Sequence, residues 1–161
     1  MRRATAHIPQ GGAAGETLRL PYQDRYCRRG VLALETGEEI LLDLAQATEL
    51  ADGDALELDD GLRVTICAVA EPLADVRGDL ARLAWHIGNR HTPCEVQANR
   101  LLIQRDHVLE EMLRGLGAEV THVDAPFQPE GGAYGYGRTH GHSHSHDPHA
   151  NPNAHIPHRH D

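Results

Sequence analysis

The sequence contains no lysine; all fifteen cationic side chains are arginine. That absence excludes Schiff-base or lysine-nucleophile chemistry and a phosphate loop of the Walker type. Cysteine is scarce: Cys27, Cys67 and Cys94 are odd in number, far apart and never arranged as CxxC. A disulfide framework or a structural zinc knuckle is therefore not expected. Free thiols fit the cytosol, and a cytoplasmic protein is expected. No apolar stretch approaches the length of a membrane span. Arg2 and Arg3 have no apolar core behind them, so no signal peptide is expected. A formal charge of −9 argues against a general nucleic-acid binder, which would need a basic face. There is no HExxH, no GxSxG and no Gly-rich phosphate loop, so the chain is not expected to be an enzyme.

What is present is organised in two halves. A chain of 161 residues can bury one sizeable core or two small ones. The first sixteen or so residues are small, polar and Gly-rich, and are expected to fray. From Leu18 the pattern turns β-like. Val31-Leu32-Ala33-Leu34 breaks at Thr36-Gly37-Glu38 and resumes at Ile40-Leu41-Leu42-Asp43-Leu44. Asp52-Gly53-Asp54 and Asp59-Asp60-Gly61 bracket Ala55-Leu56-Glu57-Leu58, and residues 62–69 follow as another strand. Short strands with Gly/Asp turns every eight to twelve residues read as a small β-sandwich or barrel. Glu71-Pro72 marks the expected boundary, because proline restricts its predecessor. Residues 1–72 are thus expected to form a β-rich domain.

The second half, 73–127, alternates element types. Residues 73–76 form a short strand candidate. Asp79 caps a helix carrying Leu80, Leu83, Ala84 and Ile87 at i, i+3, i+4 and i+7. Gly88-Asn89 offers the left-handed conformation that ends helices. Cys94, Val96 and Ala98 alternate on one face of a strand, and residues 101–104 form another. Asp106 caps a helix through Val108, Leu109, Met112, Leu113 and Leu116, stopped by Gly115 and Gly117. Residues 118–123 are the last strand. The order β-α-β-β-α-β is that of a ferredoxin-like sandwich, so the fold class is α+β. From Gln128 order is expected to fade into a Gly-rich tether and a His-rich tail, 128–161.

The histidines carry the chemistry. The tail holds His140, His142, His144, His146, His149, His155, His158 and His160. Gly, Ser, Asp-Pro-His and Asn-Pro-Asn interrupt it, unlike an uninterrupted purification tag. A polar chain can wrap several imidazoles around one ion, and neutral imidazole suits Ni, Cu and Zn. His91 stands at a helix-to-strand corner. Alone it reads as a surface histidine. A two-fold dimer would set it against its own copy and make a bis-imidazole site. His86, five residues earlier on the helix, points about 140° away and cannot join His91 within one chain. His107 follows the Asp106 cap, where solvation and ligation are both open. Cys94 lies three residues past His91, but its strand parity points it into the core. His122 receives no role, and His7 lies in the end expected to fray.

The stretches His86-Ile87-Gly88-Asn89-Arg90-His91-Thr92-Pro93, Asp106-His107-Val108-Leu109-Glu110-Glu111-Met112-Leu113 and Pro126-Phe127-Gln128-Pro129-Glu130-Gly131-Gly132-Ala133-Tyr134, with the His-rich end, resemble the UreE family of urease accessory proteins. The likeness runs from about Leu18. It implies a homodimer whose N-terminal β domain is similar to co-chaperone peptide-binding domains, and whose C-terminal ferredoxin-like domain binds metal. His91 matches the family's interfacial nickel ligand. His86 and His107 match secondary ligands of some members. One departure is Arg105, which stands where members with a peripheral site carry a second histidine and cannot ligate. Cys94 also replaces a usually apolar residue. The implied function is a nickel metallochaperone that takes Ni2+, with Zn2+, Cu2+ or Co2+ fitting the same sites. Its partners would be the urease maturation proteins, including the accessory GTPase, and the urease apoprotein complex; neither nucleic acid nor membrane is implied. Tail histidines would capture the ion and feed the His91 pair, and acid would weaken capture as protons compete near the ordinary imidazole pKa of about 6.5. The alternative is a nickel, zinc or copper buffer with no delivery partner. A metal-dependent hydrolase would need a general base, and residues 88–93 supply no carboxylate.

Overall fold

The computed structural model of the chain describes residues 1–132. Ten strands form two sheets. β1 (Arg3–Ile8), β2 (Glu16–Leu20), β3 (Tyr26–Ala33), β4 (Glu39–Glu49), β5 (Ala55–Leu58) and β6 (Arg63–Ala68) make a six-stranded sheet in the order β2-β6-β5-β1-β4-β3. A single 3-10 turn, Tyr22–Asp24, links β2 to β3. The sandwich or barrel expected for this half is one mixed sheet. The pairs β1/β4 and β2/β6 run parallel and the other neighbours antiparallel. Alternation builds its core: Ile40, Leu42 and Leu44 of β4 and Val64, Ile66 and Ala68 of β6 are buried. One apolar cluster draws on all six strands or their ends, so the sheet curls around it. Gly37 and Gly61 take the expected turns, with φ of 87° and 82°.

The first residues do not fray. β1 is a central strand, between β5 and β4. It escaped the hydrophobic pattern because its buried anchor is the small Ala4. Arg2 ties the strand's start to Glu16 at 2.8 Å, Glu38 at 2.6 Å and, more loosely, Asp60 at 3.5 Å.

β7 (Ala70–Arg77) begins after a single linking residue, Val69, so the change of sheet precedes Pro72. Pro72 sits inside β7 opposite Asp124 of β10 (Glu119–Pro126). It is tolerated there because pairing with β9 (Leu101–Gln104) starts only at Leu73. With β8 (Glu95–Val96) the second sheet has the order β10-β7-β9-β8. Helices α1 (Leu80–Asn89) and α2 (His107–Gly115) cover one face. Leu83, Ile87, Leu109 and Leu113 pack there on Ala74, Val76, Leu101 and Ile103.

The strand expected at Cys94 shrinks to two residues at a sheet edge. Cys94 does pack on the helix-side cluster, but Val96 is 49% exposed and Ala98 is exposed too. Val96 lies opposite Leu101 at the margin of the sheet, beyond the helices' cover.

The opposite face joins the two halves. Leu73 and Leu102 meet Tyr22 and Phe127 in a separate buried cluster. The Tyr22 and Phe127 rings stand edge to face at 5.1 Å. Buried Arg25 donates to the Phe127 carbonyl and lies over the Tyr22 ring, 5.7 Å from its centre. Order continues past Phe127: the Gln128 amide donates to Glu95 at 2.7 Å and the Glu130 amide to the Cys94 carbonyl at 2.9 Å. Among the described residues no helix is long and apolar enough to cross a membrane. Replacing Phe127 with Ala is expected to cost about 3–5 kcal/mol. Urea denaturation should show a single transition at lower midpoint, because the ring is shared by both halves.

Candidate metal centre

The geometry at His91 follows from where α1 must stop. Asp79 caps the helix by accepting from the Arg82 amide at 3.3 Å. Leu83 and Ile87 are its buried anchors. Ile87 occupies the last turn and is fully buried, so the chain reverses only after that turn is complete. Gly88 and Asn89 therefore remain helical, contrary to the expectation that they take the left-handed place. The reversal uses two bonds: the His91 amide donates to Gly88 O at 2.9 Å and the Thr92 amide to Ile87 O at 3.4 Å. This is a Schellman closure, whose left-handed position usually holds glycine. Here it holds His91, with φ of 56°. A side chain in that conformation costs roughly 1–2 kcal/mol. His91 is exposed at this corner.

The other expected ligands lie apart from it. His86 is half-buried, its ring edge-on to Trp85 with centroids 5.0 Å apart. His107 is exposed at the first position of α2, behind Asp106, whose carboxylate accepts from the Leu109 amide at 3.0 Å. Among the described residues, no three of His, Cys, Asp and Glu come together to hold a metal ion. Within one chain the structure thus does not unite His91, His86 and His107. The eight tail histidines, 140, 142, 144, 146, 149, 155, 158 and 160, lie outside the described residues. Cys94 is a poor ligand: burial, then Glu130 and Glu95, push its thiol up to about 11.

Two histidines given no role hold buried carboxylates. His122 Nε2 lies 2.6 Å from Glu110 Oε1. Glu110 also accepts from the Asp106 amide at 3.0 Å and from Arg105 Nε at 3.3 Å. Arg105 thus braces the start of α2. Burial would raise the Glu110 carboxyl, but the bonds from His122, Arg105 and Asp106 together outweigh it and hold it below the usual range. His7 Nε2 lies 2.6 Å from Asp54 Oδ2, and Asp54 further accepts from the amides of Ala51 and Gln10. Neither pair was visible in the sequence. Only the register, which sets His122 opposite Ala74 on the helix-covered face, turns it toward α2.

The last described residues bear on the corner as well. The Glu130 amide donates to the Cys94 carbonyl at 2.9 Å, so the described chain passes beside the segment that follows His91 in sequence.

The described residues form a mainly β unit followed by a sheet-plus-helix unit, the second carrying a strained histidine at a helix end. Two family models match this pattern. Residues 2–69 match the UreE urease accessory protein N-terminal domain, and residues 65–161 the corresponding C-terminal domain. Curated relatives agree. A protein of Paracoccus denitrificans (strain Pd 1222) named "Urease accessory protein UreE" is 59% identical over 120 residues, covering 74% of this chain and 77% of the relative. Proteins of the same name from Rhodobacter capsulatus and Ruegeria pomeroyi are 51% and 52% identical over 141 and 139 residues. Each covers 86% of this chain, and 90% and 91% of the respective relative. The chain belongs to the UreE family of urease accessory proteins, not to the catalytic ureases.

Two outcomes follow from this geometry. His91→Gly relieves the left-handed strain, so the variant should be at least as resistant to thermal unfolding as the parent while lacking the corner imidazole. His91→Ala should show no such gain. Glu110 has a folded pKa below its unfolded value, so its contribution to stability is complete above the ordinary value of about 4.3. It drains away as pH falls through the folded value. Denaturation midpoints measured from pH 6 to pH 3 should fall less steeply in Glu110→Gln than in the parent.

Proposed function

We propose that this chain captures Ni(II) and hands it over for assembly of the urease metallocentre. The observation that carries the reading is His91 in the left-handed place of a helix closure where glycine would be cheaper. Strain of this kind persists where the side chain is needed. The names of the relatives supply the process: urease accessory proteins act on behalf of urease.

The centre is completed by symmetry. A homodimer sets one His91 against the other and makes a two-imidazole clamp accessible to further ligands. Exposed Trp85 near the end of α1 and half-exposed Val96 on the edge strand give apolar area near the corner for such a seam. The bond between Glu130 and Cys94 supports delivery by the tail, because ligands tethered nearby act at high effective concentration. His86 and His107 serve as outlying ligands, and Zn2+, Cu2+ or Co2+ can occupy the same imidazoles. The 73–127 unit is ferredoxin-like, a reading supported by its strand order β10-β7-β9-β8. The 1–72 unit serves as a peptide-binding-like module, and 128–161 carries the capture histidines. Work in the cytoplasm with the maturation GTPase and the urease apoprotein completes the reading.

Urease activation at limiting nickel tests it. His91→Ala should reduce activated urease by more than ten-fold, and a chain lacking the tail histidines should lose activation mainly when nickel is scarce. If both variants lower only the nickel bound and leave activation intact, the protein is a buffer and not a carrier.

A further inference from the structure

The stretch that carries the chain from His91 into the second sheet is held only lightly by the sheet itself. β8 is two residues at an edge, paired with β9 at Glu95↔Leu102 and Val96↔Leu101. Between His91 and β8 lie Thr92, Pro93 and Cys94. Proline fixes its own φ and confines the residue before it to extended geometry, so this link is stiff. Whatever holds Cys94 and Glu95 therefore sets His91 from its C-terminal side.

Two groups of bonds hold them. Residues opposite one another in paired strands share a face. Leu102 belongs to the cluster around Phe127, so Glu95 lies on the Phe127 face, while Cys94 turns onto the helix-side cluster. The chain leaving Phe127 meets both. The Gln128 amide donates to Glu95 Oε1 at 2.7 Å, and the Glu130 amide to the Cys94 carbonyl at 2.9 Å. The other carboxylate oxygen, Glu95 Oε2, accepts from Gln97 Nε2. Gln97 Oε1 accepts from Arg100 Nε at 2.8 Å, and Arg100 Nη1 donates to Asp75 Oδ2 at 3.0 Å. Asp75 is buried on β7, an inner strand. One carboxylate thus gathers a strap from the C-terminal side and a side-chain relay from the core.

We propose that Glu95 is a positioning residue for the metal corner: clasped between Gln128 and Gln97, it fixes the segment after His91 and so the placement of that imidazole. The inference rests on the reading that His91 takes the ion. Helix ends fray, and the end of α1 closes on a residue in the left-handed region. The bonds from the His91 and Thr92 amides to Gly88 and Ile87 restrain the corner from the helix side. The clasp restrains it from the strand side, four residues on. Glu95 acts through the backbone and not as a ligand, because both of its oxygens already accept N–H donors.

The test is amide hydrogen exchange on the metal-free full chain and on its Glu95→Ala, Glu95→Gln and Gln97→Ala variants. Glu95→Ala should speed exchange of the His91 and Thr92 amides at least ten-fold. Gln97→Ala, which cuts the relay at its other end, should speed the same two at least three-fold. Glu95→Gln keeps an acceptor for the Gln128 amide and should stay close to the parent. Unchanged rates at His91 and Thr92 in Glu95→Ala overturn the proposal; so does equal acceleration at Leu83 and Leu113, which would make the carboxylate a general prop of the fold. Nickel is then titrated while the His91 ring signal is followed by NMR. The concentration that half-broadens it should rise at least three-fold in Glu95→Ala and match the parent in Glu95→Gln. If Glu95→Gln weakens binding as much as Glu95→Ala while its exchange matches the parent, the carboxylate acts on the ion by charge and positioning falls. If nickel leaves the His91 ring of the parent untouched, capture at the corner falls instead, and the metal-free exchange still decides whether the clasp holds it.

Discussion

Ile87 fixes where α1 can end, and that limit shapes everything at the corner. Its side chain is sealed among the helix-side cluster, so the helical turn carrying it must be completed. Closure then falls on the carbonyls of Ile87 and Gly88, and the residue forced into the left-handed region is His91. Core packing, a helix terminus and an exposed imidazole are thus one piece of local mechanics. The backbone there has little freedom, and the imidazole springs from a stiff mount.

The chain is acidic, yet its buried carboxylates are already engaged. Asp75 is held by Arg77 and Arg100, each at 3.0 Å, and its carboxyl stays below the usual range, chiefly through Arg77. Asp54 is held by His7, Gln10 and Ala51, and Glu110 by His122, Arg105 and Asp106. Donors of N–H to these oxygens leave them poor partners for a hard cation. The Cys94 thiol is protonated at neutral pH for a different reason, its burial. Imidazole differs from both as a ligand class: it favours borderline transition metals over magnesium or calcium.

Much of this was legible in the sequence where local rules coincide. The caps Asp79 and Asp106, the apolar faces of both helices and the glycine turns at 37 and 61 each declare themselves by residue type and spacing. β9 appeared with its bounds intact. What could not be read depends on distant partners. β1 is a strand because β4 and β5 flank it, and its Ala4 carries no pattern large enough to notice. The role of His122 requires knowing which face of β10 looks at α2. Residues past Phe127 looked like linker, because glycine and proline outnumber apolar residues there, yet Glu95 and Cys94 anchor Gln128 and Glu130. At the corner, Gly88-Asn89 was the better local candidate for reversal, and burial of Ile87 overrode it.

The seam between the halves has a mechanical consequence. Tyr22 and Arg25 from the first half close over Phe127 from the second, while a lone residue, Val69, separates β6 from β7. Such a joint resists hinging, so the first sheet and the His91 corner keep a fixed spacing. A visiting protein could use that spacing as a ruler, gripping one landmark and finding the other already in place.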